Sequence, residues 1–315
     1  MGENLRGILL MVGAMAAFAV EDMFIKRMGA AVPPGQILMM LGAGGAAGFA
    51  LLARLRGERL LSPVFFSRAV VLRNLGELTG TLGFVTAIVL TPLSSASAIL
   101  QAMPLAVTLG AALVFREPVG WRRWSAILAG FLGVLIVIRP GTAGFEPASL
   151  FALLGVAGLA TRDLASRAVP RSTSSVVLSA WGFSMLLPTG AILLWLSGGA
   201  TVPSAGVLGL LAGAVLLGIA GYYAITQAMR MGEVAVITPF RYTRIVFALV
   251  IGVTVFGERP DAWTLGGAAL IIASGLYTLW REARLGRRRG ALSAGPASPG
   301  QAPPARSREA PASRP

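Results

Sequence analysis

Cysteine and histidine are both absent from the 315 residues. Their absence excludes disulfides, thiolate metal sites, cysteine nucleophiles and any histidine proton relay. If protons move through this chain, carboxylates must carry them. Charge is scarce too: 13% of residues are charged and 55% are hydrophobic, whereas a soluble domain is roughly 25% charged. The sequence has no Walker-type phosphate loop, so ATP does not drive work through this chain. It also lacks the common nucleophile–base constellations, and its few scattered intramembrane carboxylates make a poor metal set. No enzyme activity, metal or cofactor is expected.

What is present is a series of apolar runs, each near the roughly 20 residues that a helix needs to cross a bilayer. Ten can be drawn: 7–27, 34–53, 68–90, 94–115, 122–139, 148–168, 174–196, 204–229, 234–256 and 262–280. The fold class is therefore an all-α integral membrane protein with ten transmembrane helices in the lipid bilayer. The 40 glycines suit it, because small residues let membrane helices approach closely. MGENLR is too short for a signal peptide and no A-x-A-like cleavage site follows the first run, so that run is expected to remain as a helix. From Arg281 onward the composition turns basic and then rich in Pro, Ala and Ser, which predicts a disordered tail over 281–315.

Charge sets the orientation. With the N-terminus in the cytoplasm, 19 of the 27 Lys and Arg residues fall in inside segments and 4 in outside links. The positive-inside rule then places both termini in the cytoplasm. The net charge of +14 reads as topology signal and lipid contact, and no nucleic-acid partner is expected.

The chain repeats itself. Glu21 and Asp22 match Arg162 and Asp163 at an offset of 141, and Lys26 matches Arg167 at the same offset. LVFREPVGW with Glu117 matches TVFGERPDAW with Glu258, again 141 apart. Each copy, 7–140 and 148–280, holds five helices. Five is odd, so the second copy enters the membrane inverted. Inverted repeats are a transporter architecture with the site at the repeat interface.

Eight charges fall inside predicted helices: Glu21, Asp22, Arg73, Glu77, Arg162, Asp163, Arg241 and Arg244. Facing lipid, each would cost about 2.5–3.5 kcal/mol, which together exceeds ordinary net stability. They must face inward. Asp22–Lys26, Arg73–Glu77 and Asp163–Arg167 have the i,i+4 spacing of helical ion pairs. Glu21 and Arg162 occupy equivalent places with opposite charge, and are expected to meet near the pseudo-two-fold axis. Arg241 and Arg244, with Tyr242, either offer a docking point for an anionic or aromatic group or neutralise Glu77, Glu21 or the helix ends. Pro239 and Pro104 are expected to kink the ninth and fourth helices. Gly76, Gly80 and Gly83 give the third helix a packing face beside Glu77. Tyr222, Tyr223 and Gln227 of the eighth helix are further lining candidates.

Two stretches, TPLSSASAILQAMPLAVTLGAALVFREPVGWRRWSAILAGFLGVLIVIRP (91–140) and GEVAVITPFRYTRIVFALVIGVTVFGERPDAWTLGGAALIIASG (232–275), resemble the EamA branch of the drug/metabolite transporter superfamily. The likeness covers about residues 7–280. The family pattern has Gly before the Glu that ends the fourth and ninth helices; Gly257 keeps it and Arg116 replaces it. The resemblance implies two five-helix EamA repeats, alternating access and a bacterial inner-membrane location. Members of the branch export amino acids and metabolites, expel drugs, or import S-adenosylmethionine or riboflavin. The Glu-Asp pair of the first helix is similar to the riboflavin-importing members, in which case Arg241, Tyr242 and Gln101 would serve a flavin.

The reading is a secondary transporter, or permease, for a small-molecule metabolite. Glu21, Arg73, Glu77, Gln101, Arg162, Arg241 and Tyr242 are its expected lining residues. Glu21, Glu77 and Asp163 are the candidates for proton coupling. The alternative is a non-transporting membrane scaffold or regulator in which every charge is statically paired.

Overall fold

A computed structural model describes residues 2–116, 120–170, 172–196, 199–228 and 234–293. The elements are α1 (Glu3–Met28), α2 (Pro34–Leu55), α3 (Arg68–Leu90), α4 (Leu93–Leu100), α5 (Met103–Val114), α6 (Trp121–Ile138), α7 (Ser149–Ser166), α8 (Ser175–Leu196), α9 (Ala205–Ala228), α10 (Val234–Ile237), α11 (Thr243–Phe256) and α12 (Ala262–Ser293). Short 3-10 turns occupy Pro63–Phe66 and Thr238–Tyr242. Taking α4 with α5 and α10 with α11, the described residues make ten spans. Nine described segments are apolar and long enough to cross a membrane. The tenth, α3, is the helix that carries Arg68, Arg73 and Glu77.

Local chemistry fixes the helix ends. The Ser67 hydroxyl accepts from the Val70 amide at the start of α3, and Pro34 opens α2 where its missing N–H is no loss. The Asp261 carboxylate accepts from the Thr264 amide to cap α12 and pairs with Arg139. The Thr264 amide, with Arg139 beside it, holds this carboxyl below its ordinary value. Gly257 ends α11 in the left-handed region at φ +65. Arg116, its counterpart one repeat earlier, adopts φ +53. The first copy thus keeps the glycine turn without the glycine, which costs about 1–2 kcal/mol of backbone strain.

Antiparallel helix pairs build the bundle, and each takes one member from each copy. In α3/α7, Gly76, Gly80 and Gly83 face Arg162, Leu159 and Gly155, so closely that a Cβ at Gly83 would stand 2.5 Å from the Gly155 amide and the Phe151 carbonyl. In α2/α8, Gly35 and Gly42 lie on the backbone of Gly190 and Phe183. In α6/α12, Gly133 meets Gly267. In α1/α9 the side chains of Phe24, Glu21 and Phe18 fill the space over Gly213, Gly218 and Gly221. The glycine face expected on the third helix is therefore a packing face, and it brings Glu77 against α7.

The fourth span breaks at Gln101–Ala102, with Pro104 in the first turn of α5, and the ninth breaks in the 3-10 turn that contains Pro239. The two breaks fall in register, since Gln101 and Tyr242 are one repeat offset apart. They also touch: the Gln101 amide donates to the Arg241 carbonyl at 3.4 Å. Half-helices that meet at a repeat interface are a recurrent way to line a transporter site. Where α1 ends and α4 begins, the bundle is packed solid by Ile25, Met28, Leu38, Ile88, Leu93 and Ile99.

The expected boundary at Arg281 is not a helix end. α12 continues to Ser293, consistent with the good helix formers Arg, Ala and Leu in REARLGRRR, and Arg284 lies over the Trp280 ring. Residues 294–315 of the expected tail, and Glu117, lie outside the described residues.

Candidate functional site

A cavity of about 410 Å³ lies between the two copies, within the roughly 300–1,000 Å³ usual for small-molecule sites. All eight intramembrane charges line it, as do Gln101 and Tyr242. Glu21, Arg73, Glu77, Gln101, Arg162, Arg241 and Tyr242 are therefore brought to one place, from α1, α3, α7, the Gln101 break and the Thr238–Tyr242 turn.

The pairing inside the cavity differs from the expected one in two places. Asp22 does not close on Lys26. It is buried and accepts a forked contact from Arg244, with Nη2 at 2.7 and 3.0 Å and Nε at 3.3 Å. The Arg244 guanidinium also lies between the Phe18 and Phe84 rings, 5.3 Å from each centroid. Nor does Arg162 meet Glu21. It donates to Glu77 at 3.2 Å and to Asp163 at 2.8 Å, because α7 packs along α3 while α1 packs along α9. The i,i+4 pair Arg73–Glu77 does form at 3.2 Å. Arg73 also donates to the Leu178 carbonyl at 2.6 Å and to Asn74 at 3.1 Å.

Lys26 works elsewhere. Its ammonium donates to the carbonyls of Ile88 and Thr91 at the end of α3, where the helix dipole favours a cation, and it stands 3.6 Å from Glu258. Glu258 accepts from the amides of Leu93 and Ser94 at 2.6 and 3.0 Å and from the Ser94 hydroxyl at 2.7 Å. One carboxylate thus ties the end of α11 to the start of α4, at the packed end of the bundle. Charge-assisted hydrogen bonds of this kind contribute about 1.5–3 kcal/mol each. Replacing Glu258 by Gln should lower the thermal midpoint by several degrees. A cysteine introduced at the buried Ser97 should then react faster with a membrane-impermeant thiol reagent, a test made clean by the cysteine-free background. Unchanged labelling would mean that the tie does not hold this end closed.

The eighth helix divides its candidates. Tyr222 lines the cavity, packs edge-on to Phe49 and donates to the Ser175 carbonyl at 3.0 Å. Tyr223 and Gln227 point instead into a separate pocket beside Arg56 and Glu58, since neighbours on a helix face different ways. Residues that sequence reasoning passed over include Phe18, Phe84, Ser166, Ser179 and Gly218, all on the cavity wall. A signal for Gly218 was available: it stands one repeat offset from Glu77.

Comparison with known proteins gives a consistent account. The model of the EamA-like transporter family matches residues 5–139 and again 147–280. The chain is 27% identical over 218 residues to an S-adenosylmethionine uptake transporter of Rickettsia prowazekii, covering 67% of this chain and 71% of that one. It is 29% identical over 214 residues to a riboflavin transporter of Rhizobium johnstonii, covering 66% and 69%. A riboflavin transporter of Vibrio cholerae is 28% identical over 201 residues, 62% of this chain and 66% of that one. A crystal structure at 20% identity superposes with a TM-score of 0.58 over 89% of this chain and 98% of its own, a likeness of fold. With the family model matched once in each half, on a multi-pass helical bundle whose charges converge on one cavity, the chain belongs to the EamA-like transporter family.

Proposed function

We propose that this chain is a secondary carrier that moves a small, ring-bearing metabolite across the bacterial inner membrane by alternating access. One observation carries the reading: the cavity between the inverted copies is packed shut at the end where α1 finishes and continues toward the other. Arg73, Ser166 and Tyr222 line both this cavity and the shallower pocket against Val169, Pro170 and Thr173. With both termini cytoplasmic, the open end faces the cytoplasm. The inverted copies, 7–140 and 148–280, supply the two-fold relation on which alternating access runs. Phe49, Phe183 and Tyr222 offer apolar walls to a ring, and the relatives named for S-adenosylmethionine and riboflavin carry such rings.

Proton coupling belongs at Glu21. Of the three candidate carboxylates, Glu77 and Asp163 are each held by arginine, whereas no ion pair among the described residues engages Glu21. Uptake that continues unchanged when the pH gradient is collapsed would mark a facilitator instead. The scaffold alternative is favoured by one fact, that most of the cavity charges satisfy each other. Proteoliposomes separate the two. Saturable uptake of labelled S-adenosylmethionine or riboflavin above that of empty vesicles is the expected result. A monodisperse, well-folded protein that moves neither would sink the carrier reading.

A further inference from the structure

Six of the eight cavity charges form a closed set. Asp22 holds Arg244, Glu77 holds Arg73 and Arg162, and Asp163 holds Arg162. Three acids and three bases cancel. Glu21 and Arg241 are left over, one of each sign.

The repeat explains why Glu21 has no partner. At the α3/α7 interface the register sets Glu77 against Arg162. One repeat offset away, the α1/α9 interface sets Gly218 against Glu21, so near that a Cβ at 218 would stand 2.8 Å from the Glu21 carboxylate. The same two places thus hold a salt bridge at one interface and a lone carboxyl over a glycine at the other. Among the described residues no hydrogen bond or ion pair engages the Glu21 side chain.

Arg241 sits in the broken span. Its carbonyl accepts from Gln101, but among the described residues no hydrogen bond or ion pair reaches its guanidinium. The acid that acts on it, Asp163, is already bound to Arg162. Nor do the two left-over groups neutralise each other. The groups acting on Glu21 are Asp22 and Arg244, and those acting on Arg241 are Asp163, Arg162, Tyr242 and Arg244. The cavity therefore keeps one acidic and one basic group without ion-pair partners among the described residues, on walls whose other charges are paired.

We infer that the solute is amphoteric: it brings a cationic group to Glu21 and an anionic group to Arg241, with its ring body between them. This inference rests on the carrier reading above and names the substrate class of the same cavity. An uncharged ring would leave both poles unmet, and a simple anion or cation would leave one buried charge unpaired. Both failures select against the wrong solute.

The test uses the full chain in proteoliposomes with three probes. S-adenosylmethionine carries ammonium, sulfonium and carboxylate groups on an adenine-bearing body. Methylthioadenosine keeps that ring and lacks the amino-acid part, and riboflavin is an uncharged ring. Uptake of S-adenosylmethionine is expected to exceed that of methylthioadenosine at least about tenfold, and to fall at least about tenfold in Glu21→Gln and in Arg241→Gln. Both variants should keep the wild-type thermal midpoint or raise it, because each removes an ionisable cavity group that no ion pair holds. Methylthioadenosine or riboflavin moving as fast as S-adenosylmethionine, or S-adenosylmethionine uptake indifferent to both substitutions, would overturn this inference and leave the carrier reading standing. Vesicles that carry none of the three would overturn both.

Discussion

Replacing Glu77 by glutamine is expected to abolish transport and to lower stability by about 3–5 kcal/mol, the usual result of leaving buried charges uncompensated. The two carboxylate oxygens of Glu77 serve different arginines, Arg73 and Arg162, each at 3.2 Å. Arg73 is buried, and its other acceptors, the Leu178 carbonyl and Asn74, are uncharged. A glutamine amide keeps one acceptor oxygen, turns a donor toward the second arginine and withdraws the charge. The thermal midpoint of the detergent-purified protein should fall on the order of 10 °C. The double variant Glu77→Gln with Arg162→Gln should recover part of that loss, since the two residues are in contact and their effects are not additive. Recovery of stability without recovery of uptake would assign the pair to the cavity wall. A Glu77→Gln protein as stable as the wild type would refute the pairing itself.

The second large effect is steric. A Cβ at Gly158 would run into the backbone amide and Cα of Gly80 on the facing helix. Backbone atoms cannot rotate away, so valine at position 158 must part α3 from α7 over their whole contact. A loss of more than about 4 kcal/mol is expected, enough to deplete folded protein, and fluorescence-detected size-exclusion profiles of membrane extracts would report it. Gly13, with open space around it, supplies the control. Alanine there should change stability by no more than about 1 kcal/mol. Equal damage from both substitutions would mean that the α3/α7 approach is not as close as described.

Much of this was written in the sequence, for identifiable reasons. A shared offset of 141 linking Glu21 to Arg162 and Glu117 to Glu258 fixes the repeat, and an odd number of helices per copy fixes the inversion. Lipid will not hold eight charges, so their convergence on one cavity followed from energy alone. Their partners did not. The i,i+4 rule offered Asp22 to Lys26, but that rule describes an isolated helix. In the bundle Asp22 faces Arg244 across the cavity, and Lys26 lies at the end of α1 beside Glu258 and the carbonyls closing α3. Arg162 was offered to Glu21 by symmetry of position, yet contact follows helix pairing, and α7 packs on α3. Periodicity was likewise blind to which of Tyr222 and Tyr223 faces inward, because α9 is apolar on all sides.

The crossed pairing of helices bears on how such a chain is made and where it came from. When the ribosome has finished the first copy, the glycine faces of α2 and α3 have nothing to lie against, since their partners α8 and α7 are not yet synthesised. The first half must wait in the bilayer for the second. A single five-helix ancestor would have met that need with another molecule of itself inserted upside down. In such a homodimer one residue type would occupy the places of Glu21 and Arg162, and another those of Glu77 and Gly218. Fusion into one chain would free those places to differ, as they do here: one interface holds an ion pair and the other a carboxyl over a glycine at the cavity.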